Sequence, residues 1–147
     1  MFAMSKVGYF YLRHIAPRYD KWVIPLTNGR FSSVGFNVVG VVSTIGAKSG
    51  RPREQPLLMI ADGPDLLVIG SNYGRLPHPS WAHNLKVQPN CTVQFRGPKR
   101  SYRAELLSDD ERAKAWTTAV DFYNGYETYR QTCSPREIRI FRLRPAG

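Results

Sequence analysis

Cysteine is scarce in this sequence, with only Cys91 and Cys133 among 147 residues. The two lie far apart, and neither belongs to a Cys-x-x-Cys or Cys/His pattern. Those patterns are the ones that zinc sites and disulfide frameworks use. We therefore expect no metal site, no disulfide and a reducing compartment, which for this chain is the cytoplasm.

Long uninterrupted apolar runs are also missing. The N-terminal stretch MFAMSKVGYFYLRHIAPRYDKW contains Lys6 and Arg13 inside its apolar pattern, which excludes a signal peptide or a membrane span there. Apolar spacing over residues 5–15, ended by Pro17, predicts a short amphipathic helix. That helix could lie on the inner face of the cell membrane, or it could pack against the protein's own barrel or a partner subunit.

Acidic residues are few, with 11 Asp and Glu against 21 Lys and Arg, for a formal charge of +10. This excess favours anionic partners such as phosphates, acidic lipid or nucleic acid. An RNP-like aromatic signature and a helix-turn-helix pattern are both absent from the sequence. We therefore expect a small-molecule ligand and no nucleic acid, and a basic nucleic-acid-binding domain remains the alternative from another class.

From residue 37 onward the sequence is typical of short strands. The runs rich in Val, Ile and Leu are NVVGVVSTI, EQPLLMIA, DLLVIGS, CTVQF, SYRAELL and EIRIFRLRP. Asp62 and Gly63 indicate a turn between the second and third of these runs. In the last run, Ile140 and Phe141 are adjacent apolar residues, a phase break that a β-bulge could absorb.

Two further segments predict helices. SWAHNLKVQP predicts a short one that ends before Pro89. SDDERAKAWTTAVDFYNGY begins with Ser108 and Glu111 in capping-box spacing and has acidic residues in its first turn. Because strands and helices do not alternate regularly, we predict a mainly β fold with α insertions: an antiparallel β-barrel with flanking helices over residues 37–147, preceded by a separate segment, 1–36.

The segment TIGAKSGRPREQPL places Lys48, Arg51 and Arg53 beside two glycines. It does not satisfy the Walker pattern, because Gly46 is followed by Ala47 and then by a strand. Glycine backbone and flanking cations could hold a phosphate or a carboxylate. A solvated basic hairpin is the alternative.

Three segments, TIGAKSGRPREQPL, GSNYGRLPHPSWAHNLKVQPN and YNGYETY, resemble the deazaflavin-dependent nitroreductase family, group A of the flavin/deazaflavin oxidoreductases, in order and approximate spacing. The resemblance covers about residues 38–145. It implies a split barrel that binds coenzyme F420 and a reductase that transfers hydride from the reduced deazaflavin to a quinone, an activated alkene or a nitro compound. FMN on the same barrel is the alternative cofactor, although it lacks the acidic tail that the basic loop would suit. Monomer and homodimer both remain open.

The resemblance also implies the residues of the site. The phosphate and the acidic tail would be bound by Lys48, Ser49, Gly50 and Arg53. The deazaflavin ring would lie along Pro56 and Leu57. The same groove would be lined by Ser71, Asn72, Gly74, His78, Pro79, Trp81 and Asn84. Taken from the residues alone, Trp81 could be core, Asn84 could cap a loop and His78 could be exposed.

Two features modify that site. Tyr73 and Arg75 stand where the family more often has small residues, so we expect a narrower or more basic groove mouth. The catalytic candidates are Tyr123, Tyr126 and Tyr129, three residues apart and on one face of a continuous helix. Tyrosines of this segment cover the deazaflavin in the family, and Tyr126 is the first choice for a hydroxyl that stabilises developing charge. Simple packing is the alternative.

Overall fold

The computed structural model describes residues 38–146. The predicted N-terminal helix therefore lies outside the described residues. The strands are β1 (Val39–Ile45), β2 (Pro52–Leu58), β3 (Ile60–Asp62), β4 (Asp65–Ile69), β5 (Asn90–Gln94), β6 (Lys99–Leu106) and β7 (Ile140–Pro145). The helices are α1 (Ser80–Val87), α2 (Asp109–Phe122) and α3 (Gly125–Cys133), with a 3₁₀ turn at Asn72–Gly74.

All seven strands form one antiparallel sheet in the order β2-β1-β5-β6-β7-β4-β3. Its first and last members, β2 and β3, are separated in sequence by Met59 alone. Within one extended stretch, the chain therefore passes from β2, which pairs with β1, to β3, which pairs with β4. The sheet curves into a split barrel. The predicted fold class is confirmed, but the run EQPLLMIA is two strands, because Met59 turns into the core and its N–H donates to Val38 O at 2.8 Å.

Alternating side chains of β4 fill two separate cores. Leu66 and Val68 face the barrel interior, whereas Leu67 and Ile69 face the opposite side. Helices α2 and α3 cover that second side through residues such as Ala115, Ala119 and Tyr129. A strand buried on both faces reads as a continuous apolar run, which explains the sequence DLLVI.

The closing strand β7 has no bulge, so that expectation was wrong. Its register is continuous against β4 and against β6. Ile140 belongs to the core under the helices and Phe141 to the barrel interior. Two adjacent apolar residues occur because β7, like β4, is buried on both faces, and the pleat stays regular.

Helix α1 closes the barrel interior. Trp81, Ala82 and Leu85 project into it, and the rings of Trp81 and Phe141 lie 5.9 Å apart. The helix ends before Pro89, as predicted. Trp81 is therefore a core residue in this fold.

The long helix predicted from Ser108 is two helices. Tyr123 has extended backbone (φ −149°, ψ 102°) and separates α2 from α3. Ser108 occupies the N-cap position, but its side chain makes no capping hydrogen bond, so the predicted capping box does not form. Between Val38 and Ala146, the helices are all too short or too polar to cross a bilayer.

Candidate cofactor site

The turn between β1 and β2 is a compact loop of residues 46–51. Gly46 N–H donates to Arg51 O at 2.8 Å, and Gly50 N–H donates to Gly46 O at 2.9 Å. Gly50 has a φ of 68°, in the left-handed region that glycine adopts at little cost. A β-carbon at Gly46 would collide with Ser49 Oγ. Gly50 therefore allows the left-handed step of this loop, whereas a side chain at Gly46 would displace the hydroxyl of the exposed Ser49.

The loop presents positive charge without neutralising it. Lys48, Arg51 and Arg53 are exposed, and none of them forms an ion pair within residues 38–146. The adjacent carboxylate of Glu54 pairs instead with Lys99, at 3.7 Å. These three cations are therefore available to an anion from solution.

Backbone donors add to this charge. The N–H groups of Gly46, Ala47, Gly50 and Arg51 all have acceptors. In the part of the chain that the structure describes, the N–H groups of residues 48 and 49 have none. Free backbone donors beside cationic side chains are the groups that bind phosphate oxygens in protein loops.

Asn84 connects α1 to this turn. Its Oδ1 accepts from Ala47 N–H at 2.9 Å, and its Nδ2 donates to Thr44 Oγ1 at 3.1 Å. Asn84 and Thr44 are both buried. The structure therefore uses the predicted cofactor residue Asn84 to hold the turn against the helix, close to the loop-capping role that the residues alone allowed.

Strand β2 sorts its side chains between two faces. Arg53 is paired with Thr44 and Leu57 with Gly40, and directly paired residues of an antiparallel ladder project to the same face. Arg53 therefore shares the face of Thr44 and Asn84, and Leu57 packs on the barrel core. Pro56 projects to the opposite face from Leu57, so the two predicted ring contacts lie on different sides of the strand.

The loop between β4 and α1 has an unusual backbone. Asn72, Tyr73 and Gly74 have successive positive φ values of 50°, 56° and 78°. A β-carbon at Gly74 would collide with Thr132 Oγ1, which itself donates to Gly74 O at 3.1 Å. Asn72 Nδ2 donates to Pro77 O at 3.0 Å. The loop is thus held tightly against α3.

His78 is neutral at physiological pH. Its pKa falls from 6.5 to about 4, chiefly because it is partly removed from water, and also because Arg139, Arg136, His83 and Lys86 are positive neighbours. Its Nδ1 lies 3.3 Å from Arg136 Nη1. Pro79 follows as the N-cap of α1.

Arg136 was not anticipated from the sequence. Its guanidinium donates to three backbone carbonyls of the β4–α1 loop, those of Gly70, Ser71 and Arg75. These contacts span more than 60 residues of sequence, and a single arginine in SPRE carries no local pattern. Only the folded topology reveals them.

The three tyrosines cluster although their helix is interrupted. The ring centroids of Tyr123 and Tyr126 lie 5.1 Å apart, and the hydroxyls of Tyr123 and Tyr129 lie 3.2 Å apart. Tyr126 and Tyr129 are buried and Tyr123 is half-buried. Gly125 is required because a β-carbon there would collide with the Tyr123 ring. Gly125 is the first residue of α3.

The described residues join these parts into one region of the fold. Helix α1 contacts the cationic turn through Asn84 and follows the β4–α1 loop directly. That loop contacts the tyrosine cluster through Tyr73 and Tyr129, whose centroids lie 6.2 Å apart. Burial raises the pKa of Tyr126 and of Tyr129 well above the usual tyrosine range, so both hydroxyls stay protonated.

Comparisons with known proteins show the family and the fold of this chain. The family model described as F420H(2)-dependent quinone reductase matches residues 17–145. An F420H(2)-dependent quinone reductase of Mycobacterium tuberculosis is 37% identical over 122 residues, covering 78% of this chain and 79% of that protein.

Two solved structures are also similar. An F420-H2 dependent reductase, FDR-A, is 31% identical with a TM-score of 0.66, covering 72% of this chain and 93% of that one. A structure described as a domain-swapped dimer is 30% identical with a TM-score of 0.63, covering 72% of this chain and 79% of that one. The split-barrel fold of the flavin and deazaflavin reductases is shared.

Proposed function

The chain belongs to the F420H(2)-dependent quinone reductase family, and from this premise we propose that it reduces a quinone with reduced coenzyme F420. The cofactor of the family is coenzyme F420, as the sequence resemblance implied. The alternative FMN is set aside on the same ground.

The β1–β2 turn fits the anionic part of that cofactor. Coenzyme F420 carries a phosphate and an acidic glutamate tail, as the family resemblance implies. The turn offers Lys48 and Arg53 without ion pairs among the described residues and the unbonded N–H groups of residues 48 and 49. This open cationic turn is the observation that carries the proposal, because charge-assisted bonds to phosphate and carboxylate are the strong ones.

The predicted cofactor residues differ in the part of the site that they would form. Lys48, Ser49, Gly50 and Arg53 would contact the phosphate or the tail. Asn84 would keep the turn in place, and Leu57 would contact the ring from the inner face of β2. The β4–α1 loop and the start of α1 would complete the groove with Ser71, Asn72, Gly74, His78 and Pro79, while Pro56 and Trp81 would support it from behind.

When bound, the reduced deazaflavin supplies a hydride for the reduction. The chain's own part is to orient the quinone, exclude water and stabilise the negative charge that develops on its oxygen. Tyrosine hydroxyls with raised pKa values remain protonated, and a hydroxyl of this cluster would donate a hydrogen bond to that oxygen. Because they are very weak acids, the proton that completes the hydroquinone comes from solvent.

Among the tyrosines, Tyr126 has the hydroxyl that is most available. The hydroxyls of Tyr123 and Tyr129 bond to each other. No described residue bonds to the hydroxyl of Tyr126. Among residues 38–146 it is also not one of the fully buried side-chain atoms that lack a partner, so this hydroxyl is accessible, which favours a role towards a substrate.

Several finer points belong to the same proposal. Activated alkenes and nitro compounds accept hydride as quinones do, and we propose them as secondary substrates. A homodimer is supported by the related structure described as a domain-swapped dimer. Two unpaired, buried cysteine thiols suit the cytoplasm, and contact of the N-terminal segment with the membrane stays a prediction.

A substrate screen tests the proposal. Purified protein is mixed with reduced F420 and, separately, with water-soluble quinones, nitroaromatics and unsaturated lactones, and reoxidation is followed by the fluorescence of F420. We expect the highest kcat/KM with quinones. Reoxidation with a nitroaromatic or a lactone but with no quinone would overturn the substrate assignment, and no reoxidation with any of them would overturn the activity.

A further inference from the structure

The guanidinium of Arg136 is enclosed by the β4–α1 loop. Nη2 donates to Ser71 O at 2.9 Å and to Arg75 O at 2.8 Å, while Nη1 donates to Gly70 O at 3.1 Å and to His78 Nδ1 at 3.3 Å. One side chain therefore contacts the start, the middle and the end of the loop.

Arginine is the residue that this geometry requires. Its planar fork directs several N–H donors in fixed directions, whereas lysine concentrates three donors on one atom. The Nε atom of Arg136 is also buried and has no partner among residues 38–146. Removal from water lowers the pKa of Arg136, but a guanidinium remains charged near neutral pH.

The backbone between the Ser71 and Arg75 carbonyls that Arg136 contacts is strained. Asn72 and Tyr73 adopt positive φ, which side chains with a β-carbon rarely do. Such conformations persist only where the surroundings determine them strongly. Further hydrogen bonds that hold the loop include Thr132 Oγ1 to Gly74 O and Gly70 N–H to Arg139 O, at 3.1 and 2.8 Å.

The contact with His78 has a chemical consequence. A guanidinium has only donors, so Nδ1 of His78 must be the unprotonated acceptor in this bond. The imidazole is neutral because burial, and then the charges of Arg139, Arg136, His83 and Lys86, lower its pKa to about 4. A neutral imidazole with an unprotonated Nδ1 carries its proton on Nε2.

We infer that Arg136 is a positioning residue, which holds the β4–α1 loop in its left-handed conformation and fixes His78 as the Nε2–H tautomer. His78 then presents a hydrogen-bond donor, and no acceptor, to whatever occupies the groove. That donor suits the oxygens of an anionic or carbonyl-bearing ligand. The link to F420 rests on the proposed function, whereas the tautomer and the loop conformation do not.

The variants that test this are Arg136→Gln, Arg136→Lys and the matched control Arg139→Gln. Arg139 is also a positive neighbour of His78, but its side chain contacts His83 (Nη1 to Nδ1, 3.4 Å) and makes no hydrogen bond to Nδ1 of His78. Arg139→Gln therefore removes one charge near His78 and leaves the bond between Arg136 and His78 in place.

The first measurement needs no cofactor. Side-chain ¹⁵N NMR of the full chain at neutral pH reports which nitrogen of His78 carries the proton. We expect the Nε2–H form alone in the wild type and in Arg139→Gln, and a mixture of both tautomers in Arg136→Gln. An Nδ1–H form in the wild type, or an unchanged tautomer in Arg136→Gln, would overturn the inference.

The second measurement follows the loop. Hydrogen exchange of the Gly74 and Arg75 amides, which bond to Ser71 O and Asn72 O, should be about tenfold faster or more in both Arg136 variants than in Arg139→Gln. Equal exchange in all three would overturn the positioning role. Arg136→Lys keeps the charge and serves where Arg136→Gln does not fold.

The third measurement tests whether the loop positions the cofactor. If F420 binds, Arg136→Lys should weaken its affinity by about tenfold, with a smaller change for Arg139→Gln. Equal F420 affinity in Arg136→Lys and the wild type would show that the loop does not position the cofactor. If the wild type bound no F420, only the proposed function would be contradicted. The inference about Arg136 would still be decided by the tautomer and exchange measurements, which need no F420.

Discussion

Asn84 Oδ1 accepts a hydrogen bond of 2.9 Å from the backbone N–H of Ala47. This bond joins the last turn of α1 to the cationic β1–β2 turn. The same carboxamide donates to Thr44 at the end of β1. A buried polar side chain therefore ties the turn to α1, in addition to the pairing of β1 with β2.

Replacing Asn84 with alanine should destabilise the fold and weaken F420 binding together. The change leaves two groups without their partner, Ala47 N–H and the buried Thr44 hydroxyl, at a cost of about 1–3 kcal/mol in the free energy of unfolding. Urea unfolding measures that cost, and a fluorescence titration measures F420 affinity. Asn90→Ala is the control, because Asn90 is exposed and bonds to Arg103. Equal unfolding free energies for the two variants would contradict the role of Asn84.

Removing the cations of the turn should weaken cofactor binding without unfolding the protein. Lys48→Ala and Arg53→Ala each delete one charge-assisted contact, which contributes about 1.5–3 kcal/mol to binding, or roughly tenfold to a hundredfold in Kd. The loss should grow with tail length for a residue that contacts the glutamates. Lys114→Ala on α2 is the matched charge control. If the double variant bound F420 as tightly as Lys114→Ala, the turn would be a solvated basic hairpin.

Replacing Tyr126 with phenylalanine should leave F420 affinity unchanged and lower kcat. One lost hydrogen bond to developing negative charge reduces turnover by about tenfold or more. Tyr123→Phe is the comparison, because it removes the hydroxyl that lies 3.2 Å from that of Tyr129. A lower melting temperature with unchanged turnover in Tyr126→Phe would make Tyr126 a packing residue.

Alanine at Gly74 should be more damaging than alanine at Gly63. Both glycines have positive φ, 78° and 60°, so both substitutions cost about 1–2 kcal/mol of backbone strain. Only Gly74 is crowded by Thr132, whereas the space around Gly63 is open. Thermal unfolding should therefore show the larger loss for Gly74→Ala, with part of it recovered in Gly74→Ala/Thr132→Ala. Equal losses at the two sites would contradict the close packing of the loop on α3.

The sequence predicted most strands and helix ends because those depend on local patterns. The signals were alternating Val, Ile and Leu, the Asp62-Gly63 turn and Pro89. Each of them affects only the few residues beside it. The phase break at Ile140 was misinterpreted for a physical reason. Periodicity cannot distinguish a bulge from a strand that is buried on both faces, and the second arrangement depends on helices placed over the sheet by distant parts of the chain.

The site was predictable to a smaller extent, because several of its residues act across long distances in sequence. The cations of the turn stand out by composition, and the tyrosines by spacing. At the break, the Tyr123 ring lies against Gly125, where a β-carbon would not fit. Arg136 had no local signal, because its carbonyl partners are recognisable only once the β4–α1 loop and the segment after α3 lie side by side.

The most direct test of the account is a single turnover under anaerobic conditions. Protein loaded with reduced F420 is mixed rapidly with a water-soluble quinone, and the fluorescence of oxidised F420 is recorded against the same mixture without protein. We expect F420 to appear in a protein-dependent phase that is far slower in the Lys48→Ala/Arg53→Ala variant at the same subsaturating F420 concentration. Reoxidation no faster than in buffer would contradict the assignment of this chain as an F420-dependent quinone reductase.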